Sequence, residues 1–206
     1  MWQQLQDELG DNGFTILAIA LDADGDAVRQ WANVSPLTMP VLIDRDFVVA
    51  DYYGIVNVPS SVWIDENRKI VRPADTAMGD DRFRAFTNID AEVHHDLLRA
   101  WVLGGTRDLD DTSVRANQLA PSDESQRARL HRRIALALRE RGDLDGFRLH
   151  LDAAELLAPH DWTIRRGNMP MKGDDPFGEK FFEFVGEFNA AGRPGAYPLR
   201  TGYVAP

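Results

Sequence analysis

Hydrophobic runs in the first part of the chain predict short buried strands. Residues 14–21 (FTILAIAL) are continuously apolar, which is typical of a parallel strand covered on both faces. Residues 39–44 predict a second buried strand. Residues 60–64 predict a third, which the turn 65–68 connects to an antiparallel partner at 69–72. Strands that alternate with helices and then form a hairpin predict an α/β domain with a mixed sheet.

Apolar residues at helical spacing predict the helices between and after these strands. Trp2, Leu5 and Leu9 share one face of a helix at the start of the chain. Asp90 is expected to cap a helix that ends at Leu103 before two glycines. Further helical segments are predicted at 27–34, 47–53, 124–157 and 177–188.

Composition excludes several classes of function. The chain has 206 residues, 44% of them hydrophobic and 27% charged, which is ordinary for a globular protein. Its net charge of −10 disfavours binding to a phosphate backbone, so no nucleic-acid partner is expected. Six arginines between Arg127 and Arg141 are interpreted as a solvated helix face, because acidic residues surround them.

No apolar run reaches the length of about 18 residues that a membrane span needs, and the N-terminus does not look like a secretory signal. The absence of cysteine excludes disulfides and thiolate–metal sites within this sequence. The adjacent histidines His94 and His95 would point to different faces of a helix, so no metal site is predicted. No cofactor-binding motif occurs, and no cofactor is expected.

The segment 53–71 (YGIVNVPSSVWIDENRKIV) carries the most information about function. It predicts a helix end, a turn into the Val58–Pro59 bond, and two strands joined by a tight turn. A cis bond before proline would turn the chain sharply and leave no N–H at that position. The alternative is a trans proline in an ordinary turn before a strand, which general frequencies favour; the cis bond at Pro59 is what the resemblance of this segment to a known family implies.

Together with the phrase PVLID at 40–44 and the helix–strand unit at 26–43, this segment resembles the thioredoxin superfamily, and more closely its TlpA/ResA-like and AhpC/TSA-type redoxin branch. The resemblance covers about residues 1–104. It implies that Val58 and Pro59 contact the substrate, since the residue before the proline in this family offers backbone hydrogen bonds to a bound peptide. The expected fold is therefore a thioredoxin-like mixed sheet followed by an α-helical hairpin region.

One feature of the family is missing from this sequence. The family places a strand and a redox motif with a cysteine directly before a helix like that of residues 2–9, and here Met1 falls within that helix. The expectation is that the sheet lacks its motif-bearing strand and that the nucleophile, a cysteine or the selenocysteine of some ResA-like redoxins, lies upstream of Met1. A degenerate, cysteine-free protein is the remaining alternative, and translation of the upstream codons would decide between them.

A second resemblance lies on the C-terminal side. Ala135, the turn at Gly142, Phe147 and Ala154 match a tetratricopeptide hairpin over residues 124–159. Because a single repeat cannot bury its own faces, this hairpin is expected to pack on another part of the chain or on another protein. The predicted organisation is a redoxin domain at 1–105, a linker at 106–122 and a helical region at 123–206.

Two functions follow as hypotheses. The first is a redoxin that resembles thiol-disulfide oxidoreductases or peroxiredoxin-like antioxidant proteins, acts on a disulfide or a peroxide, and has no catalytic residue within this chain. The second is a cysteine-free module that binds extended peptides beside Val58 and Pro59. The sequence leaves the oligomeric state open. It also leaves the compartment open: cytoplasmic as written, extracytoplasmic if an upstream signal exists.

Overall fold

The computed structural model describes residues 2–22 and 24–205, so Met1 and the expectation attached to it lie outside the described residues. The strands are β1 (Ala18–Ala20), β2 (Val41–Ile43), β3 (Ser60–Ile64) and β4 (Ile70–Thr76). The helices are α1 (Trp2–Leu9), α2 (Gly25–Val34), α3 (Val48–Tyr53), α4 (Arg84–Thr87), α5 (Ala91–Gly104), α6 (Asp111–Ala116), α7 (Asp123–Glu140), α8 (Leu144–Leu157), α9 (Trp162–Lys172) and α10 (Glu179–Ala190). The chain is thus a mixed α/β protein with small sheets and many helices, which is consistent with a thioredoxin-like fold.

The strands form two pairs. Strands β1 and β2 are parallel, with Ile19 opposite Leu42, and β3 and β4 are antiparallel, with Ser60 opposite Thr76. Among the described residues no ladder joins the two pairs into the single mixed sheet that the sequence predicted. The prediction that residues 14–21 are covered on both faces is wrong, because Leu17 is exposed.

Strand β4 is longer than the predicted 69–72 because it continues through Pro73. The register shifts on both sides of the pair formed by Trp63 and Arg72. Proline lacks the N–H that a regular ladder would use, and bulges of this kind are where a sheet tolerates it.

The structure divides into two compact units, each described here by itself. The described residues of Met1–Arg45, Pro59–Leu119 and Tyr197–Pro206 form unit 1, and those of Asp46–Val58 and Ala120–Ala196 form unit 2. The core of unit 1 consists of apolar side chains from α1, β3, β4 and α5: Leu5, Leu9, Trp63, Val71 and Leu98.

Helix α6 and the C-terminal segment also belong to unit 1. The stretch 106–122, predicted as a linker, contains α6, whose Val114 is buried in unit 1. The C-terminal segment hydrogen-bonds to the chain just before α5: the Asp90 N–H donates to Gly202 O and the Val204 N–H donates to Asn88 O, both at 2.8 Å.

Unit 2 is built on the helical hairpin of α7 and α8. Ala128 shares a core cluster with Ala154, and Ala135 shares one with Phe147 and Leu151, which is the pairing of antiparallel helices. Alanine at these positions lets the helix backbones approach closely. The hairpin lies where the sequence predicted it, while its likeness to a tetratricopeptide repeat stays a prediction.

Candidate functional site

The first predicted site residue, Val58, belongs to unit 2 and is 40% exposed. Its backbone N–H donates a hydrogen bond to Oδ1 of the neighbouring Asn57 at 2.8 Å. The side chain of Asn57 therefore occupies the donor that the family resemblance assigns to a bound peptide.

The backbone before Val58 is held by the helices of unit 2. Arg129 on α7 donates to Ile55 O at 2.9 Å, and the N–H of Trp162 at the start of α9 donates to Val56 O at 3.1 Å. Arg129 also forms an ion pair with Asp51 of α3. These contacts fix the course of the chain into the predicted site.

Two arginines of α7 are thus not part of the solvated helix face that the sequence suggested. Arg129 and Arg132 are each 3% exposed. Arg129 lies between the carboxylates of Asp51 and Asp161, and the Arg132 guanidinium lies 3.5 Å from the centre of the Phe47 ring. The interpretation is wrong for these two residues because their ion-pair and ring partners come from other segments of the chain, where local sequence cannot place them.

The second predicted site residue, Pro59, belongs to unit 1 and is exposed at the start of the β3–β4 hairpin. Its carbonyl oxygen accepts a hydrogen bond from the Ala77 N–H at 3.1 Å. The next residue, Ser60, donates through Oγ to the hydroxyl of Tyr197 at 2.9 Å. The C-terminal segment is therefore attached to the strand directly after Pro59.

Beneath β3 lies an aromatic and imidazole cluster in the core of unit 1. Ser61 Oγ is 3.0 Å from His94 Nε2 and accepts a hydrogen bond from Trp63 Nε1 at 3.2 Å. The indole of Trp63 stacks on that of Trp101, with ring centres 5.3 Å apart. Trp2 contacts the adjacent imidazole of His95 edge to face, with ring centres 5.3 Å apart.

Sequence reasoning missed both buried histidines, although a signal was present. Ala91, His94, His95 and Leu98 are the buried residues of α5, and their spacing is that of the inward face of a helix. Adjacent histidines can both be buried at such a stripe because positions i+3 and i+4 lie on the same side of position i. His95 Nε2 is 3.0 Å from the carbonyl oxygen of Met78, which gives this second ring a polar partner in the core.

The contact between Ser61 and His94 has the distance of a nucleophile and its base, but its electrostatics differ. Burial, together with the positive charge of Arg72 and the neighbouring His95 imidazole, lowers the pKa of His94 to about 3. Such a group is a weak base near neutral pH. The other ring nitrogen, Nδ1, is buried and has no hydrogen-bond partner among the described residues, so no third group orients the ring. The pair is therefore part of the core and not a catalytic dyad.

A buried charge network lies on the neighbouring strand. Arg72 of β4 is 2% exposed and forms ion pairs with Asp75 and Asp108. The Thr201 hydroxyl donates to Asp75, and Arg72 donates to the same hydroxyl oxygen. The network connects β4 to the segment before α6 and to the C-terminal segment.

Two further observations concern the candidate site. Within residues 2–22 and 24–205, no three His, Cys, Asp or Glu side chains are grouped as a metal site would require. No helix in the described part of the chain is both long and apolar enough to cross a membrane.

Comparison with known proteins supports the class of protein that the fold and the segment before β3 suggest. Residues 1–72 match the model of the AhpC/TSA family, a range that includes Val58, Pro59 and β3. Thiol-disulfide oxidoreductase ResA of Oceanobacillus iheyensis is 31% identical over 86 residues, which are 42% of this chain and 45% of the relative. The chain thus spans less than half the length of that curated relative. Both matches support a thioredoxin-like redoxin relationship for the N-terminal part.

The comparison with solved structures found no significant match.

Proposed function

We propose that this chain carries the substrate-binding part of a thioredoxin-like redoxin, with Val58 and Pro59 as the residues that contact an extended peptide substrate. The exposed position of both residues, inside the region that matches the AhpC/TSA family, carries the proposal. An exposed backbone turn before a strand suits recognition of an extended chain, because main-chain hydrogen bonds there resemble the addition of a strand.

In the redox step of such a protein, a thiol or selenol transfers two electrons to a disulfide or a peroxide. Because the sequence contains no cysteine, that group would have to come from outside these 206 residues. Methionine oxidation does not replace thiolate chemistry. The chain by itself is therefore inactive in this proposal.

The test of inactivity is reduction of insulin by dithiothreitol, followed as turbidity, with and without the purified chain. We expect the same rate in both samples and no consumption of hydrogen peroxide. A rate that rises in proportion to the concentration of the chain would refute this part of the proposal.

A second candidate is a cysteine-free peptide-binding module, which the absence of cysteine from the sequence favours. In both candidates the Val58 N–H is bonded to Asn57 before a peptide binds. The side-chain amide oxygen of Asn57 takes the place of a peptide carbonyl, so binding a peptide requires that Asn57 rotate away. The side chain of Asn57 would then weaken binding without abolishing it.

Both candidates predict peptide binding at Val58, which can be measured with reduced and alkylated insulin B chain as the probe. Val58→Asp should weaken binding about tenfold, because it replaces an apolar contact with a charge. The matched control is Val34→Asp on α2, which changes another exposed valine and should leave the affinity unchanged.

Asn57→Ala should strengthen binding about threefold, since it frees the Val58 N–H without competition. Equal affinities for the Val58→Asp and Val34→Asp variants would refute peptide binding at this position. Unchanged affinity for Asn57→Ala would refute the role of Asn57 alone.

A further inference from the structure

A cavity of about 500 Å³ lies within unit 2, where the end of α7, the start of α8 and the end of α9 meet. This volume is in the range of small-molecule sites. None of the functions proposed above uses it. Its wall combines apolar side chains with several cations, and that combination determines what it can bind.

The apolar part of the wall comes from three residues. Phe147 is buried in the hairpin core, and Met171 packs against the same cluster. Leu144, at the first turn of α8, is exposed. An aliphatic or aromatic group placed against Leu144 and Met171 would be removed from water, which is favourable in proportion to the apolar area covered.

The charged part of the wall is unevenly compensated. Lys172 binds two carboxylates, Asp152 at 2.7 Å and Glu155 at 2.8 Å, so its charge is more than compensated inside the unit, and Asp152 also lines the cavity. The guanidinium carbon of Arg139 lies 5.5 Å from the centre of the Phe147 ring, and Arg139 has no ion pair among the described residues. Arg148 has one ion pair, a 3.5 Å contact to Asp145 with both side chains largely exposed, which contributes little.

Two guanidinium groups therefore border the cavity without strong ionic partners among the described residues. A guanidinium offers parallel N–H donors that match a carboxylate, and such charge-assisted pairs are stronger than neutral hydrogen bonds. The lining contains three cations and one carboxylate, Asp152, although the chain as a whole carries a net charge of −10.

We propose that this cavity is a binding site for a small carboxylic acid with an apolar body, its carboxylate held by Arg139 and Arg148 and its body placed against Leu144 and Met171. The limited volume favours a small molecule over a polypeptide segment. Neither Val58 nor Pro59 lines the cavity, and the proposal does not depend on the redoxin function.

The probe is 4-phenylbutyrate, with its neutral amide as the matched ligand, added to the full chain labelled with ¹³C at the methionine methyl groups. The sequence has five methionines, and a Met171→Leu variant assigns the Met171 signal. We expect a saturable shift of that signal with a dissociation constant on the order of 1 mM for a ligand of this size. The amide should bind about tenfold more weakly.

The variants locate the anion site. Arg139→Gln and Arg148→Gln should each weaken phenylbutyrate binding about fivefold and should change amide binding little. Arg141→Gln is the matched control, because this exposed arginine of the same hairpin does not line the cavity. Since Arg148 is itself exposed, its substitution leaves the fold intact even if Arg139→Gln does not.

Three results would overturn the proposal. One is the absence of a Met171 shift up to about 10 mM ligand, well above the expected dissociation constant. Another is equal affinity for the acid and the amide, or an equal loss of phenylbutyrate affinity in the Arg148→Gln and Arg141→Gln variants. The third is binding of a short peptide with a free C-terminal carboxylate more than about tenfold tighter than phenylbutyrate, which would assign the cavity to a polypeptide.

Discussion

Each unit contains an almost fully buried arginine that joins distant parts of the chain, but the two arginines have different surroundings. In unit 1, Arg72 lies on a strand and pairs with Asp75, whose side chain is 1% exposed, and with Asp108, whose side chain is 29% exposed. In unit 2, Arg129 lies on a helix and pairs with Asp161, at 6%, and with Asp51, at 26%. Each arginine thus has one buried and one partly exposed partner, and the difference is that Asp161 is the N-cap of α9.

The difference shows how the support of a buried carboxylate depends on the element that carries it. Asp161 accepts hydrogen bonds from the Thr163 and Ile164 N–H groups at the start of α9, where the helix dipole favours a negative charge. Asp75 lies within β4, and a strand offers no comparable dipole. Removing the arginine leaves its buried carboxylate without a cation, so the loss should be greater where no helix N-terminus supports that carboxylate.

Substitution of the buried arginines should have the largest effect on stability. Arg72→Met should lower the free energy of unfolding by about 3–5 kcal/mol, because Asp75 would stay buried without a cation. Arg129→Met should cost less, about 2–3 kcal/mol, because the N-terminus of α9 would still support the buried Asp161. Urea unfolding gives the free energy of unfolding of each variant, and hydrogen exchange shows in which unit amide protection is lost.

The control for this pair of variants is Arg148→Met, whose partner Asp145 is fully exposed. Its effect should stay within about 0.5 kcal/mol. The comparison between the units would be wrong if Arg129→Met destabilised the protein as much as Arg72→Met.

Two glycines with the same backbone conformation allow the cost of an added side chain to be compared between the units. Gly202 in unit 1 and Gly195 in unit 2 have φ angles of +72° and +73°. A Cβ on Gly202 would overlap the carbonyl oxygen of Asp90, whereas a Cβ on Gly195 would meet nothing within 4 Å.

Gly195→Ala should therefore cost about 1 kcal/mol, from the left-handed conformation alone. Gly202→Ala should cost about 2–3 kcal/mol, because it also forces the C-terminal segment away from the start of α5. Limited proteolysis after residue 196 should accelerate only in the Gly202→Ala variant. Equal losses in both variants would show that the contact with Asp90 contributes nothing.

Acid should destabilise unit 1 more than unit 2 through their histidines. The folded pKa of His94 is about 3, below the ordinary 6.5, so between these values the unfolded chain takes up a proton that the folded chain does not. This stability is fully present above about pH 6.5 and is lost as the pH falls, by about 2 kcal/mol at pH 5.

In unit 2 the two ring nitrogens His131 Nδ1 and His150 Nδ1 are 2.8 Å apart. Partial burial, the neighbouring His150 and Arg127 lower the pKa of His131, so its effect has the same sign. His131 is only partly buried, and we expect the smaller change in stability with pH there. The free energy of unfolding, measured at pH 7.5 and pH 5, should depend much less on pH in the His94→Gln variant and nearly as much as before in the His131→Gln variant. The reverse ranking would contradict the comparison.

Much of the helical structure was predictable because its signals are local. Asp90 caps α5, and Gly54 and Gly105 end α3 and α5 in the left-handed conformation. The turn at Gly142 separates α7 from α8 where the sequence indicated it. Capping and helical periodicity depend on residues within one or two turns of each other, and a single sequence displays them.

The strands and the site were less predictable. The apolar run 14–21 contributes only three residues to β1, because a strand extends only as far as a partner pairs with it. Val58 and Pro59 were predicted as site residues, and both are exposed. The contacts around them, from Asn57, Arg129 and Tyr197, could not be predicted in the same way, since two of these residues lie far away in sequence.

Local patterns in the sequence were sufficient to establish the α/β character of the first part, the helical hairpin, the absence of cysteine and the resemblance to redoxins at Val58 and Pro59. The helical spacing of α5 also contained a sign that His94 is buried. The burial of Arg72 and Arg129 was settled by tertiary packing, because Asp108 and Asp51, with which they pair, are separated from them by tens of residues. Whether a charged side chain is buried depends on such long-range contacts, and no local pattern of residues encodes them.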